Sequence, residues 1–150
     1  MQVTELSETE CYDVLAHGRV ARLACAQDNQ PYVVPITYAY AENCLFGFSM
    51  PGRKIDILSN NPAVAILVED YAKTSWRSVL VEGRFEALSE EGDTAPLWQK
   101  AWELISRLPD WWEPGALKPK ALPLSDHSPH LFYRVPIRSL TGRHFLTAVD

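Results

Sequence analysis

Turn signals recur along this chain at short intervals, and the segments between them alternate in hydropathy or are rich in β-branched and aromatic side chains. Arg19 to Cys25 alternates, Gln27-Asp28-Asn29-Gln30 supplies turn residues, and Pro31 to Tyr40 is β-branched and aromatic, which predicts a hairpin. A short turn at Glu42-Asn43 leads into a strand over Cys44 to Ser49, which Pro51-Gly52 breaks. Arg53 to Asn60 has helical spacing and is stopped by Asn61-Pro62. Ala63 to Glu69 and Trp76 to Leu88 read as two further strands, separated by the polar Asp70 to Ser75. Leu131 to Ile137 reads as a last strand, ahead of Thr141-Gly142-Arg143.

Helices are inserted into this series rather than alternating with it. Thr4 to Glu10 places acids and capping residues ahead of Cys11, Val14 and Leu15, so a first helix is expected from near Ser7 to Gly18. After Asp93 the period changes: Trp98, Ala101, Trp102, Ile105 and Leu108 share one helical face, capped by Asp93 or Thr94 and stopped by Pro109. About six short-connected strands with inserted helices predict a β-rich α+β chain built on an antiparallel barrel, not a doubly wound sheet. No internal repeat or low-complexity tract divides it, so residues 1–150 are expected to form a single domain.

Charge and composition exclude several function classes. With 47% apolar and 22% charged residues the chain is an ordinary globular one. Nineteen acids against fourteen bases give a net charge of -5, and no basic stripe interrupts it, which argues against a nucleic-acid partner. The longest aliphatic run, Val64 to Val68, is far short of the roughly 20 residues that cross a bilayer. Met1 opens a polar stretch without the pattern of an export signal, and Cys11, Cys25 and Cys44 form no C-x-x-C pair, so buried thiols in the cytoplasm are expected. None of the four histidines sits in a ligand pattern, and Pro129 disrupts the H-x-x-H spacing of His127 and His130, so no metal site is expected.

Phe46 to Ile55 is the segment that carries chemistry. It puts glycines, a hydroxyl and two cations where a strand becomes a helix, and unpaired N–H groups there face an incoming anion. The spacing of Gly47 and Gly52 matches the nucleotide-binding loop G-x-x-x-x-G-K-[ST], but Arg53 takes the lysine position and Lys54 the hydroxyl position. Without that hydroxyl a magnesium ligand is missing, so ATP or GTP hydrolysis is set aside in favour of a phosphomonoester held by charge and hydrogen bonds. The plainer alternative is a solvated, basic first helical turn, yet cations there oppose the helix dipole. In Trp76 to Arg84, alternation sends Trp76, Ser78, Leu80 and Glu82 to one face and Arg77, Val79 and Val81 to the other. Trp76 reads either as an anchor for packing or as part of a binding face.

Taken in order, Arg19 to Ala24, Pro31 to Tyr38, Gly52-Arg53-Lys54 with Asn61-Pro62, Ser78 to Arg84, and Thr141-Gly142-Arg143 resemble the pyridoxamine 5′-phosphate oxidase-like, flavin-binding split-barrel proteins. The likeness is greatest to their small nitroimidazole-resistance branch and runs from about Arg19 to Arg143. The resemblance implies a homodimer of six-stranded antiparallel split β-barrels with a few peripheral helices, and FMN in clefts at the dimer interface. It assigns the flavin phosphate to Arg53 and Lys54 beside Gly52, and the edge of the ring to Pro35, Ile36, Thr37 and Tyr38. Phe48 and Ser49 would lie beside the ring and ribityl chain, Trp76, Ser78 and Val79 near the flavin, and Arg143 near the cofactor. Gly47 stands where nitroimidazole-resistance relatives often carry histidine, so chemistry depending on that imidazole is not carried over.

The function this implies is an FMN-dependent oxidoreductase passing electrons between NADH or NADPH and a small acceptor, with no residue singled out as catalytic. Its rivals are a deazaflavin-dependent reductase on the same barrel and a non-enzymatic flavin or haem carrier or sensor. The segment from Pro109 to Pro129, with Trp111 and Trp112, reads either as a lid over the cleft or as a docked connection.

Overall fold

The structure, a computed structural model, describes residues 1–108 and 131–147. Its elements are β1 (Gln2–Glu5), α1 (Glu8–His17), β2 (Val20–Gln27), β3 (Gln30–Ala41), β4 (Cys44–Ser49), α2 (Arg53–Asn60), β5 (Ala63–Ala72), β6 (Ser75–Arg84), β7 (Glu86–Ala87), a 3-10 turn (Gly92–Thr94), α3 (Ala95–Ile105) and β8 (Leu131–Leu146). Trp111 and Trp112, with the expectations attached to them, lie outside the described residues.

Six strands close a ring. β4, β3, β2, β5 and β6 pair antiparallel in that order, and β8 joins the two ends, meeting β4 over Leu131–Pro136 and β6 over Ile137–Leu146. This is the expected six-stranded split barrel; β1 and β7 are two further short strands laid on β8. The hairpin turns follow from local chemistry. Asp28 and Asn29 (φ 51° and 63°) and Glu42 and Asn43 (φ 51° and 58°) hold the left-handed backbone that two-residue turns between twisted strands require. Ser7 and Glu10 form a reciprocal capping box at α1: the Ser7 N–H donates to Glu10 Oε2 at 2.7 Å, and the Glu10 N–H to Ser7 Oγ at 3.2 Å.

Several details differ from the sequence expectation, and the last strand, expected to end at Ile137, runs on to Leu146. The polar Asp70 to Ser75 is not a loop: β5 and β6 run on to a turn at Lys73-Thr74, because Asp70 pairs with Arg77 and the Tyr71 ring stacks on Trp76 across the ladder. The strand expected over Trp76 to Leu88 divides at Phe85, whose side chain enters the barrel core between β6 and β7. Thr94 does stand at the N-cap of α3, but its hydroxyl accepts from the Ser89 N–H (2.8 Å) and makes no cap hydrogen bond.

Alternation along the strands fills the barrel with Leu23, Tyr38, Leu45, Ile66, Val68, Val79, Val81 and Val135, all buried. A second core lies outside the ring, where Phe46, Phe48 and Phe132 pack against Trp98, Trp102 and Ile105 of α3. β4 is therefore buried on both faces, and its last residue, Ser49, is 1% exposed. Trp98 and Trp102 stack with rings 6.4 Å apart, both edge-on to Phe132, as expected of helix core.

Candidate functional site

β4 pairs with β3 only from Tyr38 to Ala41 and then ends at Ser49, so β3 runs on past it from Thr37 back to Tyr32 with no β4 partner along that edge. α2 starts at the same place. The opening is a cleft of about 330 Å³ lined by Tyr32, Val34, Pro35, Ser49, Met50, Pro51, Gly52, Arg53 and Lys54. Its position follows from the sequence: Pro51 ends the strand, Gly52 caps the helix, and the two cations occupy the first helical turn. Proline at position 35 costs the ladder nothing on an edge that β4 leaves unpaired.

The two cations differ. Arg53 is exposed, its guanidinium 4.6 Å from the centre of the Tyr32 ring. Lys54 is 8% exposed, so its charge acts in a medium less screened than water. Cys25 of β2 lies beneath them: burial pushes its thiol up, and the nearby Lys54 and Arg53 charges offset that only in part. Gly52 is extended, and a Cβ there would meet nothing within 4 Å, so the chain's own packing does not demand glycine. The space beside it is open to a ligand. Backbone donors, two cations and the apolar Val34, Pro35 and Met50 are a lining that fits a flat molecule with a phosphate at one end.

Of the residues singled out in the sequence, the cleft brings together Pro35, Ser49, Gly52, Arg53 and Lys54. Ile36, Thr37 and Tyr38 do not line it: the cleft takes the part of β3 farther from β4, Tyr32 to Pro35, while the Ile36 and Tyr38 side chains are buried in the barrel core. Tyr38 is 1% exposed and its hydroxyl donates to the Leu15 carbonyl at 2.7 Å. Phe48 faces α3, and Val79 is core. Thr37 is half-buried on the opposite side of β3 from Ile36.

Trp76, Ser78 and Arg143 form a separate group. Ser78 is the register partner of Arg143, and Trp76 that of Phe145, on which its ring stacks at 4.4 Å. Arg143 also donates to Glu5 Oε1 at 2.9 Å. Sequence reasoning missed Tyr32, Val34, Met50 and Pro51 as lining residues, although Met50 and Pro51 sit between positions it did identify.

Gly47 has a steric reason for its identity. A Cβ there would run into the buried Tyr133 ring of the neighbouring strand β8, so a histidine at this position would displace Tyr133. Among the described residues no cluster of His, Cys, Asp and Glu is placed to hold a metal, and no helix is long and apolar enough to cross a membrane.

Comparison with known proteins agrees with this architecture. A 43%-identical crystal structure of an FAD-binding protein from Mesorhizobium loti superposes with a TM-score of 0.81, covering 97% of this chain and 99% of that one. An uncharacterized protein of Rhizobium meliloti (strain 1021) is 44% identical over 144 residues, 95% of each chain. At the level of fold alone, an FAD-binding protein of Mycobacterium smegmatis is similar at 24% identity and TM-score 0.69, covering 95% of this chain and 99% of its own. So is a candidate 5-nitroimidazole antibiotic resistance protein of Bacteroides thetaiotaomicron, at 19% and 0.74, over 96% and 88%. The family model described as pyridoxamine 5′-phosphate oxidase matches residues 7–144, from the cap of α1 to the end of the barrel, and the chain belongs to that family.

Proposed function

We propose that this chain is a flavin-dependent oxidoreductase that takes electrons from NADH or NADPH and passes them to a small acceptor. The observation that carries the proposal is the pair of cations on the first turn of α2, set at the mouth of a cleft that an unpaired strand edge and apolar side chains complete. The name of the Mesorhizobium loti relative supports a flavin as the ligand. A bound flavin supplies reversible two-electron transfer.

The residues supply position and exclusion. Lys54 and Arg53 hold the phosphate, with the N–H groups of the first turn of α2. On the edge of β3 that β4 leaves unpaired, the Pro35 and Thr37 carbonyls and the Thr37 N–H would be available to the polar edge of the ring. Pro35, Val34 and Met50 exclude water from the ring face. The described lining holds no carboxylate or imidazole, so proton transfer is left to substrate or solvent.

The proposal includes a homodimer. On one chain, Trp76, Ser78 and Arg143 are not on the wall of the cleft. Val20 (57% exposed), Val33 (59%) and Leu80 (37%) stand at outward positions of the sheet between β3 and β6, as in a surface awaiting cover. A second copy seated on that sheet brings its β6–β8 face to the cleft.

Anaerobic mixing of the flavin-loaded protein with NADH or NADPH tests the enzymatic reading. Bleaching of the flavin's visible band is expected within a catalytic timescale. A protein that binds flavin but is not reduced by either nucleotide is a carrier or sensor, and the oxidoreductase reading is then wrong.

A further inference from the structure

Arg53 stands between two clefts. Besides the one described above, a second of about 360 Å³ opens on its other side and carries the carboxylates of Asp28 and Asp56. Asp56 is three residues on in α2, the spacing at which opposite charges on a helix meet. An exposed arginine so placed is expected to pair with that carboxylate, which would draw its charge away from the Lys54 side. It does not. The guanidinium lies over the Tyr32 ring, 4.6 Å from its centre, and among the described residues it forms no ion pair.

We infer that Tyr32 is a positioning residue, which keeps Arg53 off Asp56 and Asp28 and on the phosphate side of the site. The inference rests on the flavin reading given above. Stacking suits the task because it engages the face of the guanidinium and leaves its five in-plane N–H donors to a phosphate. An ion pair with Asp56 would take some of those donors and cancel the charge.

Ring and guanidinium are held by the same hairpin. Tyr32 is half-buried, packs against the barrel core and is the register partner of Cys25, so its ring is a fixed shelf. Just past α2, the Asn61 side-chain amide donates to the Ala26 carbonyl at 2.9 Å, and Ala26 pairs with Pro31, the neighbour of Tyr32. The helix that bears Arg53 is thereby tied to the strands that bear the ring. At an exposed site a cation–π contact shifts such a balance by about two- to fivefold.

The test is fluorescence titration of flavin-free, full-length protein with FMN and with riboflavin, read as the ratio of the two dissociation constants, in which any contact of Tyr32 with the flavin ring cancels. Tyr32→Leu is expected to lower the preference for FMN about threefold, and Tyr32→Phe, which keeps the ring, to leave it within about 1.5-fold. Asp28→Asn/Asp56→Asn removes the competing carboxylates, so in the Tyr32→Leu background it is expected to raise the preference about threefold more than it does in the wild type. Riboflavin binding and circular dichroism check that each variant is folded, and Tyr32→Met takes the place of Tyr32→Leu should the latter not fold. The inference is overturned, with the flavin reading left standing, if the leucine variant keeps the wild-type ratio, if the phenylalanine variant loses as much as the leucine variant, or if the carboxylate changes act equally in both backgrounds. If the wild type binds neither flavin, or riboflavin as tightly as FMN, the phosphate grip of the parent reading fails and this inference with it.

Discussion

Replacing Lys54 with methionine removes a buried charge from the cleft while keeping most of the side chain's length. A unit charge about 4 Å from a phosphate oxygen gains roughly 4 kcal/mol at an effective dielectric near 20, but only about 1 kcal/mol in water. Lys54, 8% exposed, belongs to the first case and the exposed Arg53 to the second. After desolvation, a charge-assisted hydrogen bond nets about 1.5–3 kcal/mol. Lys54→Met is therefore expected to raise the Kd for FMN by about 10- to 150-fold, and Arg53→Met by about fivefold, since about 1.4 kcal/mol is tenfold. Riboflavin, which has no phosphate, isolates the effect: its Kd should stay within threefold in both variants. Flavin fluorescence quenching gives all the constants, and a Tm on each variant separates a lost grip from a lost fold. The reasoning is refuted if Lys54→Met leaves the FMN Kd within threefold, or if riboflavin weakens as much as FMN.

Other consequences are structural. Gly47→Ala drives a methyl group into the buried Tyr133 ring, and overpacking of this kind costs about 1–3 kcal/mol, visible as a lower midpoint in urea unfolding. Tyr38→Phe deletes a buried 2.7 Å hydrogen bond to Leu15 and strands its carbonyl, for a loss of about 1–3 kcal/mol; because Tyr38 points into the core, flavin affinity should not change. The Ser7 backbone and side chain hold the Glu10 carboxyl below its ordinary value near 4.5. A pKa depressed on folding contributes stability above the unfolded value and loses it as pH falls through the folded one. Acid titration of the wild type should therefore show a loss of stability beginning below about pH 4.5 that Glu10→Gln reduces.

Much of the ring was legible in the sequence because its signals are local. The Asp28-Asn29 and Glu42-Asn43 turns, the Ser7–Glu10 box and the Pro51-Gly52 break act over a few residues, and each stands where its chemistry put it. What escaped depends on distant partners. β1 is a short exposed strand, Gln2–Glu5, fixed by pairing with Arg143–Leu146 at the far end of the chain. β8 runs for 16 residues through Pro136 and Gly142, both of which read locally as interruptions. Its two halves serve different neighbours, with a register shift at Glu82–Gly83 on β6, and neither fact has a signature in β8 itself.

The candidate site was legible in the same uneven way. Arg53, Lys54 and Gly52 could be placed from the strand-to-helix switch alone. The resemblance matched the end of β3 nearest β4, so it included Ile36, Thr37 and Tyr38 with Pro35, whereas the cleft takes Tyr32, Val34 and Pro35 from the stretch beyond β4. Tyr32 joins the cleft because β3 overshoots β4, a mismatch of strand lengths that depends on pairing register.

The most direct measurement is the absorbance spectrum of the protein as purified, followed by the mass of whatever small molecule denaturation releases. A yellow protein that gives up a flavin nucleotide in stoichiometric amount is the predicted result. A colourless protein whose spectrum does not change when FMN or FAD is added contradicts the account at its centre.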